Sequence, residues 1–318
     1  MIFINPTNLK QLVKINDYLT DNMGYKIKIH SKCIYLFDKK IHYSDNFGFQ
    51  WNQFYKTQID DANNNLSADR LIKTTNWNLS QLNEKNILEV GSGAGRFTRC
   101  ILQNCSSNLY SIDSSDAVFA NFKNNKNFIS KSKLYLIKSS LYNMPLMDNS
   151  FDKVLCLGVL QHTPNIEQTI KCLISKAKPG GEIIIDFYPY KGWWTKIHAK
   201  YFLRPFFSRL SNKNLLNLIK FYAPFFYYLS LIFNSIGIGV LNRFFPICDI
   251  KTLPNKVKNK LEWVILDTFD MFSPKYDQPQ KPKKIEKIFK ENNTAITFSD
   301  YIEINSNKSA VIRVIKKK

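Results

Sequence analysis

Asn86-Ile87-Leu88-Glu89-Val90-Gly91-Ser92-Gly93-Ala94-Gly95-Arg96 is the stretch that decides the fold. Its first five residues are a short apolar run with one acid near the end, the pattern of a strand buried on both faces. Three glycines at alternate positions follow at once, and from Ala94 to Asn104 the pattern turns helical. Glycine is needed where a chain must turn sharply or let a ligand approach its backbone, because a side chain would forbid the turn or collide. A glycine turn between strand and helix sits at the carboxyl end of the sheet, where open α/β sheets bind their ligands.

Outward from this loop, short β-branched runs alternate with longer helical patterns, which is how a parallel sheet with crossover helices reads. Strands are expected at Asn86–Val90, Leu109–Asp113, Lys133–Ile137, Phe151–Leu157 and Glu182–Phe187, the last after the turn Pro179-Gly180-Gly181. Helices are expected at Asp116–Asn124 and Ile166–Ala177, and core texture resumes with a helix at Lys283–Lys290 and strands at Thr294–Ile302 and Ala310–Ile315. The expected architecture is a Rossmann-like α/β fold with a seven-stranded, mostly parallel sheet and helices on both faces. Residues 1–46 form a small N-terminal region, 47–85 lead into the core at 86–190, 191–262 are a helical insertion, and 263–318 return to the sheet.

The glycine loop has two readings as a cofactor site. The dinucleotide fingerprint Gly-x-Gly-x-x-Gly needs a third glycine where Arg96 stands. The pattern Glu-x-Gly-x-Gly-x-Gly instead resembles motif I of class I S-adenosylmethionine-dependent methyltransferases. That resemblance implies S-adenosyl-L-methionine as the cofactor, held by Gly91, Ser92, Gly93, Gly95 and Arg96, with Glu89 serving its cationic amino-acid end. A tight turn with no ligand is the bland alternative. Asp113 closes the next strand, where a carboxylate accepts hydrogen bonds from ribose hydroxyls, although helix capping would use the same residue type. Ser140 stands where the family often has an Asp for the adenine amino group, and Leu141 can still offer its backbone N–H. Val159-Leu160-Gln161-His162-Thr163-Pro164 matches the family's segment beneath the methionine end, so Gln161 is expected at the cofactor. His162 is a candidate base, with packing as the equal alternative.

Two outer segments, Phe47–Phe54 with Lys56-Thr57-Gln58 and Leu266–Asp277, resemble a methyltransferase-11-like bacterial subgroup with a helical insertion. By position they place Tyr55, Lys56, Asp267, Asp270 and Tyr276 at the acceptor side, with Asp267 and Asp270 as candidate catalytic carboxylates or else capping and surface charges. Relatives in this subgroup often carry a cysteine-rich zinc knuckle near the N-terminus. This chain keeps only Cys33 there, so no metal is expected.

With 318 residues, 44% of them hydrophobic, the chain can fill a proper core. Its six cysteines show no Cys-x-x-Cys pair, which excludes a zinc site or disulfide framework read from spacing. Met1–Lys10 lacks the charged start and apolar run of a secretory signal, so the cytoplasm is expected, with the inner membrane surface as an extension of it. The net charge of +20 promises solubility and attraction to anions. Lys, Asn and Ile are abundant throughout, so the charge is spread rather than clustered, which makes a nucleic-acid partner the less favoured one.

The insertion is different in texture. Between Lys191 and Ile250 it carries Lys191, Lys196, Lys200, Arg204, Arg209, Lys213, Lys220 and Arg243 against the single acid Asp249, and residues 221–242 hold no charge. A helical lid over the acceptor is the favoured reading, and an amphipathic surface resting on a membrane is the alternative. Either suits a small-molecule acceptor that is anionic or partly apolar, such as a phosphorylated or lipid-linked sugar hydroxyl. RNA or protein methylation, a non-catalytic module and, last, a nicotinamide-dependent oxidoreductase are the rival functions.

Overall fold

Four short strands open the chain, β1 (Val13–Ile15), β2 (Tyr18–Thr20), β3 (Lys26–His30) and β4 (Ile34–Leu36), followed by helices α1 (Asp45–Gln53) and α2 (Leu66–Thr75). The alternating core comprises β5 (Asn86–Val90), α3 (Arg96–Asn104), β6 (Asn108–Asp113), α4 (Ala117–Asn125), β7 (Lys133–Lys138), β8 (Phe151–Cys156), α5 (Ile166–Lys176) and β9 (Ala177–Phe187). The insertion supplies α6 (Ala199–Phe207) and α7 (Asn212–Ser235), and the chain returns through α8 (Lys260–Phe272), α9 (Pro282–Glu291), β10 (Thr294–Ile304) and β11 (Asn307–Lys316). This computed structural model describes residues 2–318 apart from 22, 39–41, 130–132, 191, 193–196, 255–256, 258 and 305–306. Lys191 and Lys196 of the basic insertion therefore lie outside the described residues.

The sheet runs β1-β2-β3-β4-β7-β6-β5-β8-β9-β11-β10. From β7 to β9 all neighbours are parallel, and β11 enters antiparallel between β9 and β10. Chain order reverses at β5, which pairs with β6 on one side and β8 on the other, and the glycine loop leaves β5 at that crevice. Side chains alternate across the sheet. Leu88, Ile112 and Ile183 face a core closed by α5 and α9, while Ile87, Leu109 and Ile184 face a second core closed by α2 and α3.

The sheet has eleven strands where seven were expected, because the N-terminal region is built into it. β4 pairs in parallel with β7, Ile34 opposite Leu136 and Leu36 opposite Lys138. That pairing covers the row of backbone groups that an edge strand would leave open. Phe3, Tyr35, Tyr110 and Tyr135 pack together across the joint, with the Tyr110 and Tyr135 rings stacked at 4.3 Å between centroids.

The insertion has its own core. Leu215, Leu216, Ile219 and Ala223 of α7 pack with Val264, Phe269 and Phe272 of α8. α8 in turn packs against α1, where Phe49 and Phe269 lie 5.7 Å apart. The segments before the core and after the insertion thus meet each other, and they do so beside the glycine loop.

Candidate active site

The glycine loop hangs from β6: Gly91 N and Ser92 N both donate to Ile112 O, at 2.8 and 3.2 Å, and Gly95 N donates to Ser92 O at 2.9 Å. All three glycines have positive φ, at +75°, +53° and +82°. A Cβ on Gly91 would lie 2.2 Å from Val159 Cγ2, and one on Gly95 would lie 2.2 Å from Asn121 Oδ1. Gly93 is different, since its nearest obstacle is Trp51 Nε1 of α1 at 3.0 Å, across the cleft mouth rather than inside the packed turn.

Asp113 fixes the loop from beneath. One carboxylate oxygen accepts Gly93 N at 2.9 Å, and the other accepts Ser115 N at 2.9 Å and Ser115 Oγ at 2.7 Å. Burial raises its pKa in spite of these donors. Asp113→Ala is expected to cost about 1–3 kcal/mol, since it leaves buried donors unpaired. The loss should appear as a lower urea midpoint even without a ligand, and an unchanged midpoint would show that Gly93 N–H finds another partner.

Glu89 lies behind the loop and is not among the residues that line the cleft. Its Oε2 accepts Thr98 Oγ1 at 2.5 Å and Ser111 Oγ at 2.6 Å, and its Oε1 is buried without a partner. Burial outweighs both hydroxyls and pushes its pKa up to about 7. Sequence reading also missed three asparagines on α4. Asn124 donates to Ala94 O at 2.8 Å and Tyr55 O at 2.7 Å, Asn125 to Gly95 O at 3.0 Å, and Asn121 to Thr98 Oγ1 at 2.9 Å. Asn124 and Asn125 thus reach carbonyls of the loop where it enters α3, and Asn121 reaches the hydroxyl that Thr98 gives to Glu89.

The opposite wall comes from the outer segments. His162 Nδ1 lies 3.0 Å from Tyr276 O, so it carries the proton as donor and leaves Nε2 as an acceptor. Gln278 clips the same turn, its N to Gln161 O at 3.0 Å and its Nε2 to Thr163 O at 2.8 Å. α8 brings Asp267 and Asp270 to the cleft, one helical turn apart. Asp270 accepts Gln50 Nε2 at 3.2 Å, whereas Asp267 accepts no hydrogen bond from the described residues. Burial and the neighbouring Asp270 push the Asp267 pKa up to about 7, against the opposing pull of Arg96 and Arg70. Arg70 pairs with Asp186 at 2.6 Å. Burial and the like charge of Arg70 bring Arg96 down to about 9.

These walls enclose a cleft of about 650 Å³. Of the residues singled out from sequence, Gly91, Ser92, Gly93, Arg96, Asp113, Leu141, His162, Asp267 and Asp270 line it together. Glu89, Gly95, Ser140, Gln161, Tyr55, Lys56 and Tyr276 are not among its lining residues. Ser140 caps a short turn through Tyr142 N, and its own N donates to Asp38 at 2.7 Å. Gln161 is fully buried with neither amide atom bonded. Tyr55 stacks instead under Lys123, 3.7 Å from its ring centre. Tyr276 serves through its carbonyl, with its ring 6.2 Å from that of Tyr43. Around the cleft Ser92 Oγ, Gln50 Oε1 and Gln58 Oε1 are buried without partners. Asn259 caps the start of α8, and Asp267 and Asp270 lie in its second half at the cleft wall.

Comparison with known proteins agrees with this geometry. The methyltransferase domain family matches residues 88–185. A tRNA U34 carboxymethyltransferase of Nautilia profundicola is 32% identical over 114 residues, 35% of this chain and 38% of that protein. A ubiquinone biosynthesis O-methyltransferase of Rickettsia typhi is 25% identical over 138 residues, 43% of this chain and 54% of that protein. The chain thus spans about half or less of these relatives. Among solved structures, the magnesium protoporphyrin IX methyltransferase from Synechocystis PCC 6803 with bound SAH superposes with a TM-score of 0.50 at 16% identity, covering 86% of this chain and 97% of that one. That likeness speaks for the fold. Residues 88–185 match a methyltransferase domain family, and the sheet that holds them shares its fold with the Synechocystis methyltransferase.

Proposed function

We propose that this chain transfers a methyl group from S-adenosylmethionine to a small-molecule acceptor that is anionic or partly apolar, the leading candidate being a phosphorylated or lipid-linked sugar hydroxyl. The observation that carries the reading is that three residues lining the cleft beside Gly91 and Gly93, namely Ser92, Gln50 and Gln58, each hold a buried polar atom with no partner among the described residues. A buried polar group left unpaired costs about 1–3 kcal/mol, so three such groups in the wall of one cleft support a polar ligand there.

Gly91, Ser92, Gly93 and Asp113 would hold the ribose and methionine side, and Leu141 the adenine side. Glu89, Gly95, Ser140 and Gln161 would act from behind them as supports. When bound, the cofactor supplies a methyl carbon already activated by a sulfonium leaving group. The chain's own work is then alignment, exclusion of water and removal of one proton. Trp51, Phe47 and Tyr188 give the cleft apolar walls. The acceptor hydroxyl proton passes to Asp267, whose carboxylate has a pKa close to neutrality, with His162 Nε2 as the other acceptor in the same wall and Asp270 held by Gln50. Arg70, Arg96, Lys200 and Arg243 also line the cleft and suit an anionic group on the acceptor.

A nucleic-acid acceptor is the second reading, supported by the net charge of +20 and by the tRNA-modifying relatives. Incubation with labelled methyl donor and fractionated small-molecule, lipid, RNA and protein pools separates the two. Label in the small-molecule or lipid pool is the expected result, and label confined to RNA or protein sinks that acceptor class. Titration with S-adenosylmethionine and with a nicotinamide dinucleotide, read by calorimetry, tests the cofactor itself. A cytoplasmic location, extending to the inner membrane surface through residues 191–250, goes with this reading.

A further inference from the structure

α7 is apolar on two opposite sides, and only one of them is covered. Leu215, Leu216, Ile219 and Ala223 are buried against the core shared with α8. On the far side Phe221, Phe225, Tyr228 and Ile232 follow one another at helical spacing, and all are exposed, Phe221 to 85% and Phe225 to 65%. A helix that is apolar all round is ordinarily buried all round. Exposed large apolar residues on a soluble chain are usually scattered singly, and a contiguous run marks a surface that something covers. Phe202 and Phe206 of the preceding α6 are exposed as well.

The charges around this stripe say what covers it. Toward its N-terminal end α7 carries Lys213 and Lys220, seven residues apart and so aligned along one flank of this stripe, and Arg209 stands just before the helix. All three are exposed and make no ion pair with the described residues. From 191 to 250 the only acid is Asp249. A second copy of this chain would bring the same cations and no carboxylate to meet them. An anionic bilayer offers hydrocarbon to the aromatics and phosphate to the lysines, each within the depth an interfacial helix reaches. The 24 residues of α7 are long enough to span a membrane, but their inner side is packed on α8, the helix that carries Asp267 and Asp270. Spanning would tear that packing apart, whereas lying on the surface keeps it.

We propose that the outer face of α7 docks this protein on an anionic phospholipid surface. Its consequence, that the acceptor is drawn from the bilayer, rests on the reading of the acceptor as partly apolar given above, while the docking itself does not. The same insertion lends Lys200, Tyr201 and Arg243 to the cleft wall, so docking face and acceptor side belong to one segment.

The test is co-sedimentation of the full chain with vesicles of neutral phosphatidylcholine, and with vesicles in which about one-third of it is replaced by phosphatidylglycerol. Binding to the mixed vesicles, weakened by salt and absent with the neutral ones, is expected. The double variant Phe221→Glu, Phe225→Glu should lower the partition coefficient by on the order of a hundredfold, and Lys213→Glu with Lys220→Glu by on the order of tenfold. None of the four residues lines the cleft, so donor binding by calorimetry and the thermal melt should stay as in the parent chain. Failure of the parent chain to bind, or equal binding by the phenylalanine variant, overturns the proposal. So does a concentration-dependent dimer that the phenylalanine variant abolishes, which would assign the face to a second copy. Resistance to an alkaline wash would overturn it in favour of a span. Sedimentation uses no methyl donor, so loss of the methyltransferase reading and loss of the docking face show up in different assays.

Discussion

Gly93→Val should abolish donor binding, weakening it by a hundredfold or more, in a protein that still folds. Gly93 sits at φ +53°, a conformation costing an ordinary residue about 1–2 kcal/mol and a β-branched one more. Its Cβ would point toward Trp51 Nε1 at 3.0 Å, so the added methyls enter the space between α1 and the loop, which is the mouth of the cleft. To escape the strain the backbone must rotate, and Gly93 N then leaves Asp113. A strain of about 1–3 kcal/mol is survivable for a domain with 5–15 kcal/mol of stability. Calorimetric titration with S-adenosylmethionine, beside circular dichroism and a thermal melt, checks both halves. Gly91 and Gly95 make poorer probes, because a Cβ there strikes Val159 or Asn121 at 2.2 Å and damages the packed turn itself. A Gly93→Val chain that folds and binds the donor with parental affinity would remove the cradle from the argument.

The core was legible in the sequence because its signals are local. β5 begins and ends where the apolar run predicts, Asn86–Val90, and α5 starts at the expected Ile166, where Asn165 caps it through Gln168 N, and ends one residue before the expected Ala177, which opens β9. The edge strands β1 to β4 were not legible. Three of the four are three residues long, and such runs carry no period to read; their place is fixed by pairing with β7 and by the ring cluster around Phe3 and Tyr35. The asparagines of α4 were hidden by composition, for in an Asn-rich chain Asn121, Asn124 and Asn125 carry no distinguishing spacing. Glu89 shows the limit of a motif. Its position was readable, but its partners, Thr98 and Ser111, come from the helix after the loop and from the neighbouring strand, and no one-dimensional pattern joins them.

Asp267→Asn is expected to lower turnover by about 10²–10⁴-fold, the range associated with removing a positioned base, while leaving donor affinity within a few-fold of the parent. The sign of the pH dependence follows from the raised pKa. With its folded-state value near 7 and an ordinary value of 3.8, Asp267 must lose its proton before it can accept one, so turnover in the parent chain rises as pH climbs through about 7. In Asp267→Asn that limb should vanish. The same shift makes an opposite prediction for stability. Between about pH 4 and 7 the folded chain holds a proton at Asp267 that the unfolded chain has released, so this carboxyl's contribution falls as pH rises through that window. The amide of Asp267→Asn carries no such penalty, and its urea midpoint should exceed the parent's above pH 7. A variant that gains stability while losing turnover is the mark of a carboxyl buried for chemistry rather than for structure. If turnover falls but the limb near pH 7 persists, another group takes the proton, and Asp267 acts only by setting the charge around Arg96 and the cleft.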